Sequence, residues 1–492
     1  MSKTYFLNEL ADSVSSLNTF SINQLADSIG GKIYGSNDYK PSNGFTGIFE
    51  TLNEAQEGDI VIRHWINGKG IEMAAGKEIA CLITQNPKDG AVEKAKELDF
   101  PLIVTDKIEL ANAYALKWTV ANFSPNSKNI VITGTNGKST TSHLIYHILN
   151  SAGYHVFTNT NSESEFNTLI DPMVSKLISD EINTNGELDF LVIEVSEVQG
   201  WLGNLMKNHA FLMSNALNPK IGVITNIAMD HIGLVNSIDE VFDEISAVPQ
   251  AIGEGITILN HDDNLVRKLD AKNPFYWSMD DKSVDLYFDN GIIYNDELII
   301  EKEDLPFTSN HFVQNILSAV GACISLGIDL NEIKNAVKSY RALNRRFAKL
   351  NDEPLIIDDF AHNPDGIRNT IKESIKLLGD DEKLHVVCAI RGSRGVEINK
   401  LNVEALVEVF TEDINLFLSS SNDVVNDLNY VTPEEREVFF NVLDKNNIKY
   451  THFDNLMDCL SMVYDASDKK DIILLIGAQG MDPAESLLKN FL

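Results

Sequence analysis

The stretch Ile130-Val131-Ile132-Thr133-Gly134-Thr135-Asn136-Gly137-Lys138-Ser139-Thr140 constrains this chain more than any other. An apolar, β-branched run leads into a turn with two glycines, and Lys138 opens a segment in which Leu144, Ile145, Ile148 and Leu149 recur at helical spacing. The pattern predicts strand, tight loop, helix. In such a unit the loop N–H groups and the positive end of the helix dipole converge where phosphate oxygens can be held. Lys138 is placed to reach the terminal phosphates of a nucleotide, and Ser139 to ligate the accompanying Mg²⁺. The spacing is Gly-x-x-Gly-Lys-Ser, because Ile132 stands where the longer phosphate-loop pattern puts its first glycine. The plainer alternative is a glycine turn followed by a solvated lysine.

Two further runs repeat the strand pattern and end in polar residues. Asp189-Phe190-Leu191-Val192-Ile193-Glu194-Val195-Ser196 is nearly continuous in apolar character, as a strand buried on both faces requires. Ligands of open parallel sheets bind beyond the strand carboxyl ends, so Glu194 and Ser139 are expected to share one Mg²⁺. A helix-capping or ion-paired carboxylate would read the same. Residues 221–227 form the third run and lead to Ala228-Met229-Asp230-His231. An Asp-His pair there suits a second metal ion or the γ-phosphate, although a single histidine is more often structural. Asn315 precedes a segment predicted to be helical over 316–326, and its amide could pair with an adenine edge or simply cap the helix.

On the amino-terminal side, apolar runs at 59–62, 80–84 and 102–104 alternate with helical segments at 89–98 and 109–120, the sign of a small α/β domain. Ser124-Pro125-Asn126-Ser127 then punctuates the chain. After Arg345-Arg346 the pattern restarts. Four apolar runs, beginning near Pro354, Lys383, Asp413 and Asp471 and separated by helical stretches such as 367–378, predict a second, Rossmann-like sheet. Its turns carry Asp359 and His362, then Arg391 and Arg394, then Ser419 to Asp423, all at strand carboxyl ends and so along one edge, expected to face the central domain. The expected fold class is α/β with three domains: a small N-terminal domain at 1–127, a central phosphate-loop parallel-sheet ATPase domain at 128–342, and a Rossmann-like C-terminal domain at 343–492.

Forty basic against seventy-two acidic residues leave a net charge of −32, which repels polyanions and argues against nucleic acid as the main partner. Solubility is the simplest account of that charge. No apolar run approaches the ~18 residues of a membrane span, and Met1-Ser2-Lys3-Thr4-Tyr5 lacks the pattern of a secretory leader. Cys81, Cys323, Cys388 and Cys459 are too far apart for a zinc or redox motif and are expected to be buried thiols. A cytoplasmic protein with no membrane partner is expected.

Taken in order, Gly134 to Thr140, Glu194-Val195-Ser196, Thr225 to His231, Asn315, Arg346, and Asp359-Phe360-Ala361-His362-Asn363-Pro364 resemble the signature of the Mur ligases. That family joins a carboxylate to an amine at the expense of ATP and includes folylpolyglutamate and cyanophycin synthetases. The block from Gly58 to Cys81 resembles the substrate-anchoring domain of the branch that adds the third amino acid in muramyl peptide synthesis. The resemblance implies that a substrate carboxylate becomes an acyl phosphate, which the amine of an amino acid attacks to form an amide. It implies ATP and Mg²⁺, held by Gly134, Thr135, Asn136, Gly137, Lys138, Ser139 and Thr140. Glu194 would complete the first metal, His231 would serve the second, and Lys138, Glu194 and His231 form the expected catalytic set. Asn315 would bind adenine, while Arg346, Asp359 and His362 would close over the nucleotide. Candidate substrate contacts are Asn167, Thr168, Ser196, Arg391 and Arg394, the arginines gripping a carboxylate unless they are only solvated cations. The implied partners are a nucleotide-linked peptide or other carboxylate acceptor and a free amino acid; the protein itself is expected to be a monomer.

Four departures set the chain apart from that pattern. No lysine occurs between Lys220 and Lys268, where many members carry a carbamylated lysine for the second Mg²⁺; Glu244 or Asp243 is the substitute candidate. Thr51-Leu52-Asn53 stands where muramyl ligases place the Ser-Arg that contacts the uridine handle. The last apolar run ends in Gly477-Ala478-Gln479-Gly480-Met481-Asp482-Pro483 without the usual lysine and histidine, and Ser420 to Asn426 replaces the Asp-Asn-Pro-Arg signature. These departures point to a divergent branch such as the ligases of archaeal pseudomurein. The rival expectations are the same chemistry on a tetrapyrrole carboxylate or polyglutamyl chain, a phosphate-loop ATPase without ligase activity, and a non-catalytic binding protein.

Overall fold

The run that ends in the glycine turn forms the strand Lys128–Thr133, in the interior of a nine-stranded sheet. The computed structural model describes residues 21–38, 49–160, 172–201, 204–230, 234–306, 309–427 and 429–491. Lys128–Thr133 pairs with Phe190–Glu194 on one side and Ile221–Ile224 on the other, both in parallel. Val156–Thr158 lies beyond the first, and Ile256–Asn260, Pro274–Ser278 and Leu286–Phe288 follow beyond the second, all parallel. Gly291–Tyr294 and Glu297–Glu301 extend that side antiparallel. The chain thus leaves Lys128–Thr133 to one side, returns, and leaves to the other. Such a reversal opens a crevice at the strand's carboxyl end, where parallel sheets bind ligands.

Both faces of the central strand are covered, which is why its sequence shows no alternation. Ile130 and Ile132 pack with Leu144, Ile145, Ile148, Val313 and Leu317 on one face, and Val131 packs with Leu191, Ile193 and Leu212 on the other. The helix Lys138–Ser151 therefore lies against the sheet on the same side as the helix Asn310–Ser325. The latter begins six residues earlier than the 316–326 expected from the sequence. The polar start Asn310-His311 hid it, and Asn315 is an interior helical residue, not a cap.

An amino-terminal sheet of five strands runs in the order Lys32–Tyr34, Leu102–Val104, Cys81–Pro87, Ile60–Ile66, Phe49–Glu50, parallel except for the first. The helix Ile108–Phe123 joins it to the nine-stranded sheet. Ala111, Ala113, Tyr114, Ala115 and Leu116 are all buried, against Ile60–Ile66 and Cys81–Pro87 and against the helices Pro172–Asn185 and His209–Leu217. A helix apolar all round belongs in such an interior. The punctuation at Ser124-Pro125 is therefore followed, not preceded, by a change of sheet, while the core runs on. Of the described residues, those from 21 to 160 and from 172 to 340 form one compact unit, and those from 341 to 491 another.

In the second unit six strands run in the order Ala348–Asp352, Leu355–Asp359, Ile472–Ile476, Leu384–Ala389, Ile414–Ser419, Tyr450–Phe453, all parallel except the first. The four expected apolar runs are the four interior strands. Ala348–Asp352 and Tyr450–Phe453 were not expected, because edge strands are half-solvated and carry no apolar run. The helix Pro364–Lys376 starts on Pro364 behind the capping Asn363, three residues before the expected start. All four cysteines are free and buried, and burial pushes the Cys81 and Cys388 thiols up to about 12. Among the described residues, no helix is long and apolar enough to cross a membrane.

Candidate active site

Gly134 and Gly137 both adopt positive φ, +118° and +85°, and both are packed from above. A Cβ on Gly134 would stand 2.3 Å from Thr225 Oγ1, and one on Gly137 would stand 2.1 Å from Asn315 Oδ1. Only glycine fits either position. The loop between them is clamped to the turn after Ile221–Ile224. Thr135 N–H donates to the Asn226 carbonyl at 2.9 Å, Asn136 N–H to Asn226 Oδ1 at 3.0 Å, and Asn226 Nδ2 returns a bond to the Asn136 carbonyl at 2.8 Å. Thr135 Oγ1 exchanges bonds with both backbone groups of Ala228. The helix Lys138–Ser151 then begins on Gly137 with no side-chain cap. Its first N–H groups keep the orientation that an anion requires.

Ser139 Oγ donates to Glu194 Oε1 at 3.1 Å, and Thr160 Oγ1 donates to Glu194 Oε2 at 3.0 Å. Asn159 fixes the Glu194 backbone from both sides, accepting its N–H at 2.8 Å and donating to its carbonyl at 3.0 Å. Ser139 and Glu194, expected to share a Mg²⁺, are hydrogen-bonded to each other, and a hydroxyl and a buried carboxylate lie together beside the uncapped helix start. Lys138 Nζ folds back over its own loop, donating to the Gly134 and Thr135 carbonyls at 2.8 and 3.0 Å and to Glu197 Oε2 at 2.8 Å. Burial opposes its charge, but the Glu197, Glu194 and Asp230 carboxylates outweigh burial and hold its pKa above the ordinary lysine value.

The donor set fits a Mg²⁺-nucleotide. A closed glycine cradle offers backbone N–H groups, Ser139 and Glu194 offer hard oxygens, and Lys138 offers one cation. Among the described residues no three His, Cys, Asp or Glu side chains form a metal cage. Mg²⁺ needs none, since water and phosphates complete its shell. His231, Asn167 and Thr168 lie outside the described residues. Ser196 Oγ is committed to the Val198 carbonyl at 2.7 Å. Glu244 accepts the Asn208 N–H at 2.7 Å, at the start of the helix His209–Leu217, which gives one of its oxygens a capping role.

In the second unit Asp359 Oδ1 accepts from Ala361 N–H at 2.9 Å and Thr370 Oγ1 at 3.0 Å, and His362 Nδ1 lies 2.7 Å from the Phe360 carbonyl. Arg346 stacks its guanidinium 5.1 Å from the Phe360 ring and stays half-buried. Its neighbour Arg345 is the buried arginine, at positive φ. It is bound to Asp358, to Asp482 and to the Gly477 and Ala478 carbonyls. Burial pushes Asp358 up to about 7, although Arg345 beside it pulls the other way. The loop holding Arg391 and Arg394 is pinned by Glu435, whose carboxylate accepts the N–H groups of Ser393, Arg394, Gly395 and Thr432 at 2.6 to 3.1 Å. Burial would raise the Glu435 pKa, but these four donors keep it below the ordinary value.

Sequence reasoning missed Asn159, Thr160, Glu197, Asn226, Arg345 and Glu435. Asn159 and Thr160 follow a strand of three residues, too short to register as a run. Glu197 sits three residues beyond Glu194 at the same sheet edge, which was the available signal.

Residues 132–323 match the family model of the Mur ligase middle domain, and residues 345–479 match that of the Mur ligase glutamate ligase domain. The chain belongs to the Mur ligase family. UDP-N-acetylmuramate–L-alanine ligase of Brachyspira hyodysenteriae is 27% identical over 373 residues, covering 71% of this chain and 73% of that protein. Among solved structures, MurF from Acinetobacter baumannii superposes with a TM-score of 0.68 at 17% identity, covering 96% of this chain and 99% of that one. A pseudomurein peptide ligase type C from Methanothermus fervidus gives a TM-score of 0.55 at 17% identity, covering 87% and 100%. Such identities establish the shared fold. Mur ligase members are ATP-dependent enzymes that form amide bonds, and the glycine cradle lies at the start of the matched middle domain.

Proposed function

We propose that this Mur ligase couples the carboxylate of a nucleotide-linked cell-wall peptide precursor of pseudomurein type to the amine of an amino acid, using ATP and Mg²⁺. The observation that carries the reading is the Ser139–Glu194 pair beside the uncapped helix start, with Lys138 as the first residue of that helix. Thr160 and Asn159 hold Glu194 at that spot, so the carboxylate is placed before any ligand arrives. Lys138 is assigned to the terminal phosphate and Ser139 and Glu194 to the cation, whose chemistry is to neutralise charge as the phosphoryl group moves. The packing of Asn315 against Gly137 supports its assignment to the nucleotide. His231 is assigned to the same centre on its resemblance alone, as are Arg346, Asp359 and His362 to the nucleotide. No protein nucleophile is needed, because the acyl phosphate forms on the substrate and the amine displaces phosphate from it.

The experiment is a coupled screen. Purified protein with Mg²⁺-ATP is offered nucleotide-linked peptides, folate-type polyglutamyl acceptors and free amino acids, with ADP release and product mass read together. The reading expects ADP only when acceptor and amino acid are both present, with a product heavier by one residue. ADP release indifferent to both would replace it with an ATPase, and ADP release with a polyglutamyl acceptor alone would replace the cell-wall substrate.

A further inference from the structure

The phosphate loop takes its closure from the turn that follows Ile221–Ile224, where Asn226 and Ala228 bond to Thr135 and Asn136. The residue between those two is held by a different element. Ile227 N–H donates to Asp263 Oδ2 at 2.9 Å. Asp263 stands just beyond the next strand, Ile256–Asn260, and its Oδ1 accepts the N–H groups of Leu265 and Val266 at 2.8 and 3.1 Å. Val266 is buried in the same core as Ile224 and Ile227, which gives the carboxylate a fixed base. Asn260 adds a second tie, donating from Nδ2 to the Thr225 carbonyl at 3.1 Å. The strip Thr225 to Ala228 is therefore gripped both by the phosphate loop and by the turn Asn260 to Asp263. Asp262 serves the strand on the opposite side: it accepts the Met279 N–H at 2.7 Å and the Ser278 hydroxyl, at the end of Pro274–Ser278. Two adjacent aspartates thus tie their turn to the strands that flank it, and of the two it is Asp263 whose tie leads to the phosphate loop.

We infer that Asp263 is a positioning residue for the phosphate loop, acting through Ile227 on the strip that closes it. The inference rests on the nucleotide-site reading above. A carboxylate that accepts three N–H groups is a strong, directional anchor. An amide of the same shape is not, because it keeps one acceptor oxygen and turns an N–H donor towards the groups on its other side. When the tie to Ile227 is lost, Asn226 and Ala228 shift with it and carry Thr135 and Asn136 along. The loop N–H groups must meet phosphate oxygens at hydrogen-bond distance, so a displacement of about 1 Å loses the fit.

The test is the dissociation constant of Mg²⁺-ADP for wild type, Asp263→Asn, Asp262→Asn and Lys138→Ala, each taken from protein with a cooperative melt whose midpoint is recorded. Losing a charge-assisted bond at the strip should weaken ADP binding by Asp263→Asn at least about tenfold. Asp262→Asn breaks a tie of the same kind on the opposite side, so it should lower the midpoint comparably and leave ADP affinity within about twofold of wild type. A merely structural role for Asp263 would move its midpoint alone. Should Asp263→Asn not fold, hydrogen exchange of the wild type decides. The amides of Asn136, Ile227 and Ala228 should then gain protection together when ADP binds, and protection that spares Ile227 overturns the inference. So does wild-type affinity in Asp263→Asn, or an equal loss of affinity in Asp262→Asn. Wild type that binds no ADP, or Lys138→Ala that binds it as tightly as wild type, overturns the nucleotide-site reading itself.

Discussion

Replacing Gly137 by alanine attacks the phosphate loop from two directions. The residue sits at φ +85°, and a side chain there costs about 1–2 kcal/mol in backbone conformation alone. The new methyl would also stand 2.1 Å from Asn315 Oδ1, far inside contact distance. Asn315 is buried on the helix Asn310–Ser325, so relief requires an off-rotamer amide or a shifted helix, about 1–3 kcal/mol. The two terms together predict a loss of roughly 2–5 kcal/mol, read by calorimetry or denaturant unfolding as a lower midpoint for the unit that ends at residue 340. ADP affinity should fall with it. The steric part can be isolated by a double-mutant cycle, because Asn315→Ala removes the atom that the new methyl would strike. In that background Gly137→Ala should cost about 1–3 kcal/mol less than in wild type. Additive effects within about 0.5 kcal/mol would refute the packing of Asn315 on the loop, and a total loss below about 1 kcal/mol would refute the strained turn.

Other consequences follow from buried charges. His209 is fully enclosed with neither ring nitrogen hydrogen-bonded, and burial lowers its pKa to about 4. The folded state keeps it neutral where the unfolded chain protonates it, so its contribution is complete above pH ~6.5 and is lost as pH falls towards 4, about 3 kcal/mol in all. His209→Leu should flatten that part of the stability profile in acid unfolding; an unchanged slope would contradict it. Arg345→Met leaves Asp358 buried without its cation and should destabilise the second unit by about 3–5 kcal/mol, with the transition of the first unit unmoved in calorimetry. Adding Asp358→Asn should restore part of the loss. Glu435→Gln removes the charge that four backbone N–H groups share, so the amides of Ser393, Arg394 and Gly395 should exchange faster, by about 2 kcal/mol in opening free energy.

The parts of the fold that were readable beforehand are those with one physical cause. Lys128–Thr133 and Phe190–Glu194 are buried on both faces and so appear as unbroken apolar runs, and the glycines at 134 and 137 announce a loop that only glycine can make. The place of Glu194 was readable because it ends such a run, where a parallel sheet presents its side chains to a ligand. Edge strands and caps depend on neighbours distant in sequence. Ala348–Asp352 looks polar because half of it is solvated. Glu435 gives no sign that it holds a loop forty residues away, and Arg345 differs from Arg346 only in which of the two turns inward. Lys138 is read by its destination, the phosphate; Glu197 stands at a legible place, three residues beyond Glu194, but its pairing with Lys138 across 59 residues leaves no spacing pattern.

The central claim is that a substrate carboxylate is activated by phosphorylation at the Lys138, Ser139 and Glu194 site. It is tested most directly by labelling the acceptor carboxylate with ¹⁸O and analysing the phosphate released with Mg²⁺-ATP and the amino acid. The account predicts one ¹⁸O in the phosphate for each amide formed, and neither label transfer nor amide with Lys138→Ala. Phosphate that carries only solvent or ATP oxygen while amide accumulates would contradict the acyl phosphate and with it the mechanism assigned to the site.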